Sequence, residues 1–254
     1  MAERRVRSTT VAESSWLTPT MVRIVVEGPD LEGFGAGAFT DHYVKCRFGG
    51  KTRSYTVRAW DPDQLMLTLD FVVHGDQGVA GPWARHAKPG DTLELMGPGG
   101  AYAPSAGADW HLLVGDDSAL PAIAVALARI PPGAPVFAVV EVDGPEHRQP
   151  LESPGELQVV WLDRTAGPGE DPSLQLDAVK ALELPDGQGH AFVHGEATTV
   201  RLIRRHLVLE RDLSTEWLSA SGYWKLRRTD EEWRSEKREW TAQADADLAG
   251  RTAA

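Results

Sequence analysis

HLLVGDDSALPAIAVALARIPPGAPVFAVVEV, residues 111–142, carries the alternation that decides the fold. The apolar run HLLV (111–114) stops at Gly115 and two carboxylates, SALPAIAVALARI (118–130) reads as a helix, and PVFAVVEV (135–142) reads as a buried strand. Strands without polar alternation suit a sheet covered on both faces, and strands joined by helices imply parallel pairing. The rhythm continues with LQVVWLD (157–163), which also reads as a buried strand, the helix SLQLDAVKALEL (173–184) and the strand AFVH (191–194). ATTVRLIRRHL (197–207) is a helix with Val200, Ile203 and Leu207 on one face, WLSAS (217–221) a last strand, and DEEWRSEKREW (230–240) a charged helix. The second half is therefore an α/β domain with a parallel sheet.

Upstream, the period is two. Val22, Ile24 and Val26 alternate with Arg23 and Glu27, and Val44, Cys46 and Phe48 with Tyr43, Lys45 and Arg47, before Gly49 and Gly50 supply a hairpin turn. Residues 53–60, the turn DPDQ, then residues 65–74 and 92–96 follow; with residues 9–15 they make about six strands, a small antiparallel barrel or sandwich interrupted by one short helix near 81–87. The Gly/Pro/Ala stretch 98–108 marks the boundary, giving expected domains 1–104 and 109–254.

The chain has 254 residues, with 26 Lys and Arg against 37 Asp and Glu, a net charge of −11 that disfavours a nucleic-acid surface. One cysteine excludes a disulfide scaffold and thiolate-ligated clusters, which need several. The start MAERRVRSTT has no apolar segment behind its basic residues, and no run approaches eighteen apolar residues, so no membrane role and a cytoplasmic location are expected. GFGAGAF (33–39) imitates a dinucleotide fingerprint but leads into a strand, which reads as a loop. His190 and His194 share one face of a strand without a nearby third ligand, a structural pair rather than a metal site.

RSYT (53–56) places Arg53 and Tyr55 on one strand face and Ser54 and Thr56 on the other. DFVVHGDQGVAGPWA (70–84) ends a strand in a Gly-rich loop that opens a short helix, where free backbone N–H groups suit an anion. A cation, a ring, a hydroxyl and an anion nest on one small barrel suit a flavin diphosphate.

Together with GDDSALPAIAVAL (115–127), HGEATTVRLIRRHL (194–207) and SGYWKLRR (221–228), these segments make the chain resemble the siderophore-interacting proteins, FAD-dependent ferric-siderophore reductases related to the ferredoxin reductases. The resemblance implies an N-terminal FAD-binding antiparallel β-barrel and a C-terminal NAD(P)H-binding α/β domain. It implies that Arg53 pairs with the FAD pyrophosphate, Tyr55 packs on the flavin, and Thr56 hydrogen-bonds near its reactive edge. Ser54, Asp70, Phe71, Val72, His74, Gly78, Gly81, Pro82, Trp83 and Ala84 are the further implied FAD contacts. Gly115 to Pro121 would form the loop meeting the nicotinamide, with Gly115, Asp116, Asp117, Ser118 and Ala119 as its contacts and Thr56, Asp117 and Ser118 at the reacting centre. Gly195, Glu196, Ala197, Tyr223 and Trp224 complete the cofactor set. Asp117 and Ser118 stand where Glu and Thr are more usual, Val79 where Pro is, and Arg227 where Gly is.

A nicotinamide gives up a hydride whereas ferric iron accepts one electron, a mismatch that a flavin bridges. The implied partner is a ferric siderophore, reduced to release ferrous iron without a resident metal ligand. Lys225, Arg227 and Arg228 are the candidates for guiding an anionic chelate past the acidic body, against the reading of a solvated loop. Arg164 could meet a 2′-phosphate of NADPH, and Asp163 argues for NADH. Alternatives are a ferredoxin-reductase-like flavoenzyme with a protein, quinone or nitro acceptor, and a flavin or siderophore carrier without turnover. The sequence leaves the oligomeric state open and is compatible with a monomer.

Overall fold

Alternating strands with one apolar face bury it by closing on themselves. In the computed structural model, which describes residues 5–37, 39–75, 78–164 and 169–249, β1 (Val6–Thr18), β2 (Met21–Glu27), β3 (Tyr43–Phe48), β4 (Lys51–Asp61), β5 (Met66–Val72) and β6 (Thr92–Gly99) form a closed antiparallel barrel in the order β1-β2-β5-β4-β3-β6. Val22, Ile24, Val26, Val44, Cys46, Leu67, Leu69 and Leu95 fill its core. Gly49 and Gly50, at φ 53° and 86°, make the β3–β4 turn with the positive angles that such a hairpin needs. β1 is longer than its apolar pattern because its start pairs with β6 and its remainder with β2. The short helix α1 (Ala80–His86) follows β5. This barrel belongs to one unit, Met1–Ala103 with Ala124–Ala126 and Glu146–Leu151.

The second unit, Pro104–Ile123, Leu127–Pro145 and Glu152–Ala254, holds a parallel sheet. Its strands are β7 (Trp110–Asp116), β8 (Pro135–Val142), β9 (Glu156–Asp163), β10 (Gly189–Glu196) and β11 (Leu218–Trp224), in the order β11-β10-β7-β8-β9. The helices are α2 (Leu120–Leu127), α3 (Ser173–Ala181), α4 (Ala197–Leu209) and α5 (Asp230–Ala246). α2 starts later than its apolar run because Ser118 is held in a turn by Asp116. β9 reads as a buried strand in sequence but lies at the sheet edge, half-buried, and its link from β8 contains only a 3-10 turn at Pro145–His147. On one side Leu112, Val114, Val139 and Val193 pack with Val200, Ile203 and Leu207 of α4 and with Trp233 and Trp240 of α5. Thr229 and Glu232 form a capping box that starts α5, and Lys237 donates to the Gly222 carbonyl (2.8 Å) of the edge strand β11.

Two core histidines set an acid limit. His111 of β7 is completely buried with neither ring nitrogen bonded, and burial, helped by nearby His190, depresses its pKa to about 4. His194, stacked on Phe192 with Nε2 2.9 Å from Ser219 Oγ, is depressed by burial and by Lys237 to about 3. Unfolded histidine titrates near about 6.5, so between that value and the folded pKa values the unfolded chain binds more protons. Stability should therefore be fully present above about pH 7 and fall as pH drops from about 6.5 toward 4. Urea midpoints measured across that range check this, and His111→Leu should flatten the slope. An unchanged slope in the variant would remove His111 as a cause.

Candidate functional site

On β4, Arg53 lies opposite Cys46 and Tyr55 opposite Val44, so the Arg–Tyr face is the core-facing side, while Ser54 and Thr56 lie opposite Lys45 and Tyr43. Tyr55 packs tilted against fully buried Phe71, ring centroids 4.0 Å apart, which meets Trp83 of α1 at 5.6 Å; Trp83 in turn meets Phe48 at 5.4 Å. Tyr55 and Trp83 are only half-buried, leaving aromatic surface beside the barrel core. Arg53, also half-buried, donates from Nη1 to the Thr52 carbonyl (2.9 Å). α1 begins after Val79 with no side-chain cap, and Pro82 contributes no N–H, so Ala80 and Gly81 carry the amides at its start. Exposed Gly78 and His74 flank this turn, and Gly81 packs its Cα against the end of β5 beside Val72 and Val73. This donor set fits FAD: aromatic surface for a flat ring, and a forked cation with helix-start amides for a diphosphate.

In the second unit the strand order reverses at β7, whose neighbours β8 and β10 lie on opposite sides. Open α/β sheets bind ligands outside the carboxyl ends of strands at such a switch point. Asp116, the last residue of β7, is buried and knits that edge together. One carboxylate oxygen accepts from the Ser118 amide (2.9 Å) and hydroxyl; the other accepts from the Glu196 amide (3.0 Å) and Trp224 Nε1 (2.8 Å). A side chain at Gly195 would place its Cβ 2.6 Å from that second oxygen, so only glycine lets β10 pass Asp116. Glu196 is the N-cap of α4, accepting from the Thr198 (2.6 Å) and Thr199 (3.0 Å) amides, and its other oxygen accepts from the Leu226 amide (3.2 Å). Asp117 meets Arg164 at 2.9 Å, and burial pushes its carboxyl up to about 6 although the guanidinium opposes the shift.

The fold thus gives several residues assigned to ligands another partner. Asp70 is buried in a two-pronged pair with Arg23 (2.7 and 2.8 Å), and the Phe71 side chain supports Tyr55 from inside the core. Asp116 and Glu196 use their oxygens on the protein's own amides, so the start of α4 is already occupied by a carboxylate. Ala119 and Ala197 are wholly buried. Arg164, offered as a phosphate contact, is enclosed by Asp117, Glu141 (2.8 Å) and Asp143. Lys225 (3.0 Å) and Arg228 (2.5 Å) both pair with Glu236 of α5, which favours a structural role over substrate guidance for those two cations; Arg227 is 77% exposed, 3.6 Å from Glu170. Arg227 also sits at φ 60°, which is the physical ground for a glycine at that position. Glu141 and Asp143 fall in no motif; their one signal in the sequence is acidity at the end of an otherwise apolar strand. His190 accepts from the Ser105 amide (3.1 Å), and among the described residues no cluster of His, Cys, Asp or Glu is arranged to hold a metal.

A six-stranded closed barrel followed by a parallel sheet with a switch point is the architecture of the ferredoxin-reductase class. Residues 49–102 match the siderophore-interacting FAD-binding domain, and residues 108–227 match the siderophore-interacting protein model. The chain belongs to the siderophore-interacting protein family. It is 38% identical over 284 residues to an uncharacterized protein of Mycobacterium tuberculosis, covering 97% of this chain and 99% of that one. It is 30% identical over 246 residues to the ferric vibriobactin reductase ViuB of Vibrio cholerae, covering 87% and 90%. A siderophore utilization protein from T. fusca superposes with a TM-score of 0.80 at 33% identity, covering 90% of this chain and 97% of that one. Among the described residues no helix is long and apolar enough to cross a membrane.

Proposed function

We propose that this protein binds FAD non-covalently on the barrel and uses NAD(P)H to reduce the iron of a ferric siderophore, releasing ferrous iron. The observation that carries the reading is the pair of half-buried rings Tyr55 and Trp83, both packed on Phe71, with Arg53 two residues before Tyr55 on β4 and Trp83 in the uncapped first turn of α1. Arg53 would hold the pyrophosphate, Tyr55 and Trp83 would flank the ring system, and Thr56 would lie near its reactive edge. When bound, FAD supplies a centre that accepts a hydride and returns single electrons. The pyridine nucleotide is assigned to the crevice at the carboxyl end of β7, where Ser118 and the Asp116-held edge shape the loop. The segments 1–104 and 109–254 are then the flavin and nucleotide domains, in a cytoplasmic setting. Ferric vibriobactin reduction by a 30% identical relative supports the acceptor class.

Anaerobic mixing of the yellow protein with NADH or NADPH, then with a ferric hydroxamate or catecholate, tests the reading. Flavin bleaching by nucleotide and reoxidation by chelate, with ferrous iron trapped by a colorimetric ligand, is the expected result. A colourless protein that takes up no FAD, or heat release of FMN alone, would overturn the cofactor. Flavin that no nucleotide bleaches would leave a carrier.

A further inference from the structure

β7, α2 and β8 form one strand–helix–strand unit beside the switch point. In such units the group that reads the 2′ position of the adenosine ribose lies about 20 residues beyond the first turn, at the end of the second strand. A carboxylate there accepts from the ribose hydroxyls, and an arginine there receives a 2′-phosphate. The turn here is Gly115–Ala119, and the second strand ends at Glu141 and Val142, with Asp143 following. The neighbouring cation, Arg164, follows β9 and has a side chain only 4% exposed. Its Nη2 meets Asp117 (2.9 Å) and the Glu141 carbonyl (3.3 Å), its Nε meets Glu141 (2.8 Å), and its Nη1 meets Asp143. Glu141 is further held by Gln175 (3.0 Å). Three carboxylates around one guanidinium leave an excess of negative charge, and Asp143, at 33%, is the member that reaches solvent.

We infer that this edge selects NADH over NADPH, with Asp143 as the specificity-determining carboxylate; the inference rests on the proposed nucleotide crevice. A 2′-phosphate would bring further negative charge against the excess, or would have to draw Arg164 away from buried carboxylates that it neutralises. Of the three cations after β11, Lys225 and Arg228 are engaged by Glu236, and Arg227 lies 3.6 Å from Glu170.

Isothermal titration of the oxidised, FAD-loaded protein with NAD+ and NADP+ reads this without turnover. NAD+ should bind at least about tenfold more tightly at low salt, and the ratio should shrink as salt screens the repulsion. Asp143→Asn should narrow the ratio further by strengthening NADP+ and weakening NAD+. NADP+ binding as tightly as NAD+ to the wild type would overturn the selectivity and leave the crevice reading standing. A preference for NAD+ that Asp143→Asn leaves unmoved would overturn the role of Asp143. Binding of neither nucleotide would overturn the crevice reading and the selectivity with it.

Discussion

Arg164→Met should destabilise the folded protein by about 3–5 kcal/mol, the cost of removing one partner from a buried ionic cluster and leaving the others uncompensated. Asp117 and Glu141, each 6% exposed in their side chains, would lose the cation that now neutralises them, and Asp143 would lose its pairing as well. The loss should be largest near neutral pH. Asp117 already holds its proton more tightly than an unfolded aspartate, with a pKa of about 6 set first by burial. Without Arg164 that value should rise, so acidification protonates the native cluster before the unfolded chain and recovers stability in the variant. Urea unfolding at about pH 7.5 and pH 5.5 measures both effects, and His111 and His194 weaken wild type and variant alike over that interval. Arg164→Lys should recover only part, because an ammonium lacks the planar fork that reaches several carboxylates. A variant within about 0.5 kcal/mol of wild type at neutral pH would show that the cluster contributes nothing net.

Arg53→Ala should weaken FAD binding by about 1.5–3 kcal/mol, roughly ten- to a hundredfold, if its guanidinium makes the charge-assisted contact to the diphosphate. Titration of the flavin-free protein with FAD gives the number directly. Arg53→Lys should recover part of the affinity while losing the two-pronged geometry. The thermal midpoint of the flavin-free variant separates ligand binding from folding, since Arg53 is half-buried and donates to the adjacent Thr52 carbonyl. Affinity equal to wild type would make RSYT an ordinary barrel strand. An equal fall in flavin-free stability would assign Arg53 to the fold.

Much of the architecture was legible because strand and helix periods are written into short stretches of chain. The alternation of Val44, Cys46 and Phe48 set the barrel face of β3, and Gly49–Gly50 set its turn, since both depend on neighbours only a few residues away. The candidate flavin surface was legible in the same way, with Arg53 and Tyr55 two residues apart on one strand and Trp83 on the helix that the Gly-rich loop opens. β9 misled because an apolar run records the tendency to be buried and not the strand's rank in the sheet; only the strand order puts it at the edge.

What the sequence determined by itself was therefore the antiparallel barrel, the strand–helix alternation after it, and the ordered motifs that mark the family. Which charges remain available to a ligand was decided only in three dimensions. Asp116 finds Trp224, Arg164 finds Asp117, Glu141 and Asp143, and Lys225 and Arg228 share Glu236. A charged residue at a strand end or in a loop looks the same in one dimension whether it awaits a phosphate or is already neutralised. Its partner is set by which strands and helices become neighbours, and that long-range pairing leaves no period in the chain.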